Sequence, residues 1–238
     1  MKRFAQRSGC IVDIGANTGT HSIISSISNT NCRIFSIEPY SPNYKRLEIN
    51  KPLNNCTNIN LIANALGSTR GQLKFFVPAD NSITDVSSAV DTHGDRIYPE
   101  VNWKESMVSQ ITFDDLIERT GEIDFFKCDV EGFEIEVIKG GNRFFESNRP
   151  PFIIEICLDE TKCVFFNNFA RQNNYTIYLI TEEGLCKLDS LYNFDRWPNF
   201  LFAQYKHPYN FIPNNDLENF VNNCMSKNSA QRDTIKNF

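Results

Sequence analysis

Ile11-Val12-Asp13-Ile14-Gly15-Ala16-Asn17-Thr18-Gly19-Thr20 constrains this chain more than any other stretch. It is a short apolar run that breaks at an acid and two glycines, then resumes as His21-Ser22-Ile23-Ile24. That order describes a buried parallel strand, a tight turn and the start of a helix. The glycines suit a sharp bend or a close approach of backbone to ligand. The helix start offers unpaired N–H groups, and Asp13 adds a fixed acceptor. Such a turn at the carboxyl edge of a parallel sheet is a place where nucleotide-like molecules bind.

The spacing narrows the ligand. A dinucleotide turn reads G-x-G-x-x-G and aims a helix dipole at a pyrophosphate. Here the pattern is D-x-G-x-x-x-G, with an acid in front that would repel a pyrophosphate and suit a ligand bearing an ammonium and a sulfonium. S-adenosylmethionine answers that description. No P-loop pattern occurs here. The missing middle glycine and the acid at Asp13 disfavour a nicotinamide oxidoreductase.

Downstream segments extend a strand–helix alternation, which predicts a parallel sheet with right-handed crossovers. Arg33–Ile37 reads as the second strand and ends at Glu38-Pro39. Glu38 follows Gly15 by 23 residues, near the spacing at which an acid holds ribose hydroxyls. Ser41-Pro42 opens a helix as cap and first-turn proline. Asn60–Ala63 is the third strand, and Asn64-Ala65 leaves it where an adenine would lie. Gln72–Val77 and Val108–Ile111 are further strands. The polar stretch 79–101 between them is long for a loop and is the candidate substrate lid. Thr112 and Asp115 stand in capping-box spacing at the next helix.

The second informative stretch is Ile123-Asp124-Phe125-Phe126-Lys127-Cys128-Asp129-Val130-Glu131-Gly132. An apolar strand ends in two acids and a glycine, with a helix from Phe133. The next strand, Phe152–Ile156, carries Glu155 inside an apolar run, where a carboxylate needs a partner. Two readings follow. Lys127 is a salt-bridge partner for Glu155, or Asp129, Glu131 and Glu155 form one catalytic cluster. Helix 161–172 and strands 175–180 and 200–205 close the sheet. Gly140-Gly141 marks a helix end. Tyr98, Trp103 and Trp197 read as loop anchors that could also stack on sugar rings.

Length and composition set bounds. The 238 residues suit one domain over 1–213, with a polar tail over 214–238. Net charge of −5 argues against nucleic acid as partner. No apolar run has the length of a membrane span, and no signal-peptide h-region precedes the first strand. None of the eight cysteines forms a C-x-x-C pair, so a reducing, cytoplasmic setting is expected.

Three separated motifs together resemble the FkbM-type S-adenosylmethionine-dependent methyltransferases: VDIGANTGTHS, then IEP, then ITFDDLI…IDFFKCDVEGFEIEVIKGG followed by FIIEI. The resemblance implies an α/β, class I methyltransferase, Rossmann-like fold. It also implies a seven-stranded, mostly parallel sheet with its last strand antiparallel and helices on both faces. It implies O-methylation of a hydroxyl on a sugar, glycan or related small molecule. By motif, Asp13, Gly15, Ala16, Asn17, Thr18, Gly19 and Thr20 fall on the cofactor turn, Glu38 on the ribose, and Asn64 with Ala65 near the adenine. Asp129 and Glu131 fall on the D-x-E-G element facing the methyl group. Asp129 is the expected base, with Glu131 and Glu155 beside it and Lys127 holding the carboxylates. A divalent cation on Asp129, Glu131 and Glu155 fits hard oxygen ligands, although the sequence does not demand one. Cys128 stands where the family more often has an aliphatic residue. The chain starts abruptly before its first strand, which suggests a domain of a longer multidomain polypeptide. The competing reading is a non-catalytic cofactor-binding domain within such a glycan-processing chain.

Overall fold

The computed structural model describes residues 1–79, 102–156, 159–182, 184–192 and 198–204. Contacts divide the chain into two compact units, Met1–Glu155 and Ile156–Phe238, where the sequence reading draws one domain to residue 213. Residues 80–101 of the expected lid, the 214–238 tail, Tyr98 and Trp197 lie outside the described residues.

The first unit begins with the short helix α1 (Lys2–Ala5), then β1 (Cys10–Ile14), α2 (Thr20–Ser28), β2 (Arg33–Ile37), α3 (Ser41–Leu53) and β3 (Ile59–Ile62). Next come β4 (Ala65–Leu66), β5 (Gly71–Pro78), β6 (Trp103–Ile111) and α4 (Phe113–Thr120). β7 (Phe125–Cys128), α5 (Glu134–Lys139), α6 (Asn142–Ser147) and β8 (Phe152–Glu155) complete it. Its main sheet runs β8-β7-β1-β2-β3, all parallel. Chain order reverses between β1 and β7, and at such a switch point the carboxyl ends of neighbouring strands open a crevice. β4, β6 and β5 form a separate small sheet, with β5 and β6 an antiparallel pair from Gly71↔Gln110 to Pro78↔Trp103.

β1 and β7 are buried on both faces, which is why they read as continuous apolar runs. The core behind them is aromatic. Phe126 stacks on Phe152 at 4.5 Å, meets Phe113 edge-on at 5.1 Å, and Phe113 stacks on Phe144 at 4.7 Å. These separations suit offset and T-shaped ring pairs. Helix α2 turns small hydroxyls inward, with Ser22, Ser25 and Ser26 buried, while Ile24 and Ile27 face outward. The capping box is formed as expected: Thr112 accepts from the Asp115 N–H, and Asp115 accepts from the Thr112 N–H.

Gly140 does more than end a helix. A Cβ there would lie 2.1 Å from the Gly67 carbonyl oxygen, so α5 gives way to α6 at a backbone-to-backbone contact with the loop after β4.

The second unit holds α7 (Glu160–Gln172), capped by Asp159 accepting from the Lys162 N–H, and β9 (Thr176–Ile180), β10 (Leu185–Leu188) and β11 (Asn199–Ala203). These strands are antiparallel in the order β10-β9-β11. β10 adds to the two strands expected here. The six described cysteines are all buried free thiols.

Candidate functional site

The turn after β1 is built by close packing. Gly15 has φ +75° and Gly19 φ +97°, values open to glycine at little cost. A Cβ on Gly15 would lie 1.8 Å from the Asp129 carbonyl oxygen, and one on Gly19 would lie 2.0 Å from Leu47 Cδ1. The approach that demands glycine is therefore by the protein's own atoms. The N–H groups of Gly15 and Ala16 both donate to the Ile37 carbonyl at 3.0 Å, and that of Gly19 to Ala16 at 2.9 Å. Hence the N–H groups of Gly15, Ala16 and Gly19 are already paired within the turn.

Glu38 grips this turn from β2. Its Oε2 accepts the Asn17 N–H and its Oε1 the Tyr40 N–H, each at 2.8 Å. The carboxyl is 3% exposed. Burial pushes it up to about 7, only partly countered by those two N–H groups. Asn17, at φ +50°, has a buried Oδ1 with no hydrogen-bond partner among the described residues. An acceptor left bare in this way asks for a donor from outside.

A hollow opens beside the turn. Its polar lining is Gly15, Asn17, Glu38, Asn64, Asp129 and Glu131; Ile14, Ile37, Pro39, Ala65, Leu66, Leu73, Phe75, Val130 and Phe133 supply apolar walls. The structure thus brings together the glycine turn, Glu38, Asn64-Ala65 and the D-x-E-G acids. Ala16, Thr18, Gly19 and Thr20 are not in the lining. The walls from Leu73, Phe75, Val130 and Phe133 escaped the sequence reading. Phe75 and Leu73 alternate on a recognised strand, so their shared face was the available signal.

The acids converge at the carboxyl end of β7. The Asp129 N–H donates to Ile14 at 3.0 Å, tying the exit of β7 to that of β1. Cys128 pairs with Ile154, so Glu155 follows at the level of Asp129. Asp129, Glu131 and Glu155 present carboxylate oxygens within 4.8 Å of one another. Lys127, 4% exposed, makes an ion pair with Asp129 at 2.8 Å, in keeping with a lysine that holds the carboxylates. Burial alone would lower the Lys127 ammonium; Asp13 and then Asp129 outweigh it and hold it above its ordinary value. Burial, then the charge of Asp129, pushes Glu131 up to about 7 and Glu155 up to about 8. Glu131 and Gly132 sit at φ +52° and +102°. The buried Glu134 accepts the Gly132 N–H at 2.7 Å and fixes that turn. Glu134 was visible only as an early helix residue, without a sign that it would fold inward.

Asp13 is fully buried and absent from the lining of the hollow. Its Oδ2 accepts from the Ser22 hydroxyl at 2.6 Å, and Ser22 in turn accepts from Ser36 at 2.6 Å. Its Oδ1 has no hydrogen-bond partner among the described residues. His21, on the first turn of α2, also went unnoticed in the sequence. Burial first, then the Lys127 charge, pulls its imidazole below the ordinary value.

A parallel β8-β7-β1-β2-β3 sheet with a glycine turn and Glu38 at its switch point defines a Rossmann-like α/β protein. Comparison with known proteins is more specific. The Methyltransferase FkbM domain model matches residues 13–203, and the chain belongs to that family. It is 31% identical over 147 residues to the hexuronic acid methyltransferase AglP of Haloferax volcanii, covering 60% of this chain and 54% of that protein. Its fold is similar to the crystal structure of an FkbM methyltransferase from Methylobacillus flagellatus KT, with TM-score 0.55 and 20% identity, covering 82% of this chain and 44% of that one. The chain thus spans about half the length of each relative. Among the described residues, no helix is long and apolar enough to cross a membrane.

Proposed function

We propose that this chain is an S-adenosylmethionine-dependent O-methyltransferase acting on a hydroxyl of a sugar or glycan. One observation supports the reading above the rest: Gly15 and Asn17 of the glycine turn, Glu38 and the acids Asp129 and Glu131 line the same hollow. The residues present fit the cofactor. Glu38 retains acceptor capacity for ribose hydroxyls beyond its two N–H bonds. Asn17 Oδ1 is a bare buried acceptor, and Leu66, Leu73 and Phe75 offer apolar surface for a purine. The acid-rich end of the hollow suits the positive charges of the ligand.

When bound, the cofactor supplies an electrophilic methyl group on a sulfonium. The protein's part is to hold the acceptor oxygen in line, about 3 Å away, and to exclude water. A sugar hydroxyl is a weak acid, so a carboxylate that takes its proton as the bond forms lowers the barrier. Asp129 fits that role: it lines the hollow, and Lys127 holds its Oδ2 in place. Glu155, raised to about 8 by burial and then by Asp129, is a protonated neighbour at neutral pH that hydrogen-bonds Asp129 and helps to hold it. The sugar acceptor is favoured by the similarity to AglP, a hexuronic acid methyltransferase by name. Asp129, Glu131 and Glu155 would also be the ligands of a divalent cation.

Calorimetric titration with S-adenosylhomocysteine, with and without magnesium, tests the cofactor half. Micromolar binding lost in Glu38→Ala is the expected result, and a folded protein that does not bind refutes it. Asp129→Asn should then bind the cofactor and lose methyl transfer to sugar acceptors. A fully active Asp129→Asn would remove Asp129 from the base role.

A further inference from the structure

We infer that Glu134 is a positioning residue for Glu131. It takes the Gly132 N–H from behind the turn after β7 and so holds Glu131 in the left-handed backbone conformation that sets its carboxylate at the hollow. Cofactor affinity then depends on Glu134 through Glu131. That consequence rests on the methyltransferase reading; the hold on the backbone does not.

Asp129, Val130, Glu131 and Phe133 all line the hollow. Neither a strand nor a helix gives so many near-consecutive residues to one side, because side chains alternate along a strand and rotate around a helix. The chain does so by doubling back. The Phe133 N–H reaches the Val130 carbonyl at 3.4 Å, and both residues between them have positive φ, +52° at Glu131 and +102° at Gly132. Two positive values at the centre of a four-residue turn belong to type I′, whose central places favour Asn, Asp and Gly. Gly132 adopts this shape freely. Glu131 does not, since a Cβ makes the left-handed region unfavourable. A side chain persists there only where its surroundings enforce it, and such residues gather at functional sites.

Glu134 supplies that enforcement. It is 2% exposed, and its Oε1 accepts the Gly132 N–H at 2.7 Å. That N–H belongs to the peptide joining Glu131 to Gly132, so its direction follows the torsions of both residues. Were Glu131 to relax to negative φ, the peptide would turn and the buried Glu134 carboxylate would lose this donor, an unfavourable exchange for a buried charge. Glu134 is itself outside the lining. It braces the turn from behind while Glu131 faces the hollow. In front, a carboxylate oxygen of Glu131 lies within 4.8 Å of oxygens of Asp129 and Glu155. Asp129, paired with Lys127, repels a second carboxylate that near. The brace therefore holds Glu131 against both backbone sterics and its neighbour's charge.

The experiment compares Glu134→Ala with the wild type by two readings. Three-bond couplings and backbone chemical shifts of the ligand-free protein, by NMR, report φ at Glu131. Calorimetry reports affinity for S-adenosylhomocysteine. The expected result is a Glu131 φ that leaves the left-handed region and an affinity about tenfold below wild type. A double-mutant cycle separates positioning from general loosening: in a Glu131→Ala background, Glu134→Ala should change affinity by less than about twofold. An unmoved Glu131 φ, an unchanged affinity, or a full tenfold loss in the Glu131→Ala background each overturns the inference. Should Glu134→Ala not fold, Glu134→Asp takes its place, because the shorter carboxylate keeps the charge and loses the reach to Gly132. Wild type that fails to bind would refute the cofactor reading separately, and the couplings, which need no ligand, then decide whether Glu134 positions Glu131.

Discussion

The Asp129 carbonyl oxygen occupies the space that a side chain on Gly15 would need, 1.8 Å from an ideal Cβ. The two halves of the site are thus interlocked through backbone: the cofactor turn leaves β1 directly against the residue that begins the acid cluster. Any side chain at Gly15 would push apart the ends of β1 and β7. Gly15→Ala meets a fixed carbonyl and a φ of +75° at once, and should cost about 3 kcal/mol. Gly71→Ala is the control, because open space surrounds that glycine despite its φ of +143°. Thermal unfolding of both should show a much larger drop in Tm for Gly15→Ala.

Glu38 anchors the turn through both oxygens, so a neutral amide is a poor substitute. In Glu38→Gln one end of the side chain becomes a donor facing either the Asn17 or the Tyr40 N–H. One of those groups then loses its acceptor in a site 3% exposed, which costs about 1–3 kcal/mol. Through the displaced Asn17, affinity for S-adenosylhomocysteine should fall at least tenfold, about 1.4 kcal/mol. Calorimetry reads this directly, and unchanged affinity would mean that Glu38 serves the fold alone.

What the sequence made legible was local. The glycine turn, the D-x-E-G stretch and the Thr112–Asp115 cap each concentrate their signal within a few residues, so period, breakers and cap spacing were enough. The sequence marks β6 only at Val108–Ile111, yet the strand runs from Trp103, because Lys104, Glu105 and Ser106 disguise a hairpin strand whose pairing with β5 is its support. β10 has only four residues and one lysine among them, too little for an alternation to show. Choices made across the sheet were hidden altogether. Glu155 could be seen to need a partner and Lys127 to hold the acids, but the ion pair of Lys127 with Asp129 comes from the register and the exit of β7. Likewise, Asp13 looked like a rim acceptor until its neighbour Ile14 took the side facing the hollow.

The capping box offers a test of stability away from the chemistry. Thr112 and Asp115 exchange side chain and backbone hydrogen bonds at the start of α4, and Asp115 also receives Arg70 in a two-pronged contact. Thr112→Ala removes one acceptor and should cost about 1 kcal/mol, which is about 2–4 °C in Tm for a chain of this size. S-adenosylhomocysteine affinity should stay unchanged, separating fold stability from the site.

The acid cluster makes the fold's stability depend on pH in an unusual direction. Glu38 and Glu131 are held up to about 7 and Glu155 up to about 8, each chiefly by burial. In the unfolded chain such groups lose their protons near 4.3. Between that pH and about 7 to 8 the native protein binds more protons than the unfolded one, so stability falls as pH rises. The contribution is complete below the unfolded value and is lost as pH passes through the folded ones. The apo protein should therefore show a Tm that declines from about pH 5 to pH 8, measured by thermal unfolding at fixed ionic strength. Glu155→Gln cannot ionise and should flatten the upper part of that decline. A cationic ligand beside the carboxylates favours their ionised forms, so saturating S-adenosylhomocysteine, with its ammonium, should raise Tm more at pH 8 than at pH 5. A Tm that climbs across this range in the apo protein would show that these three carboxyls are already ionised in the native state.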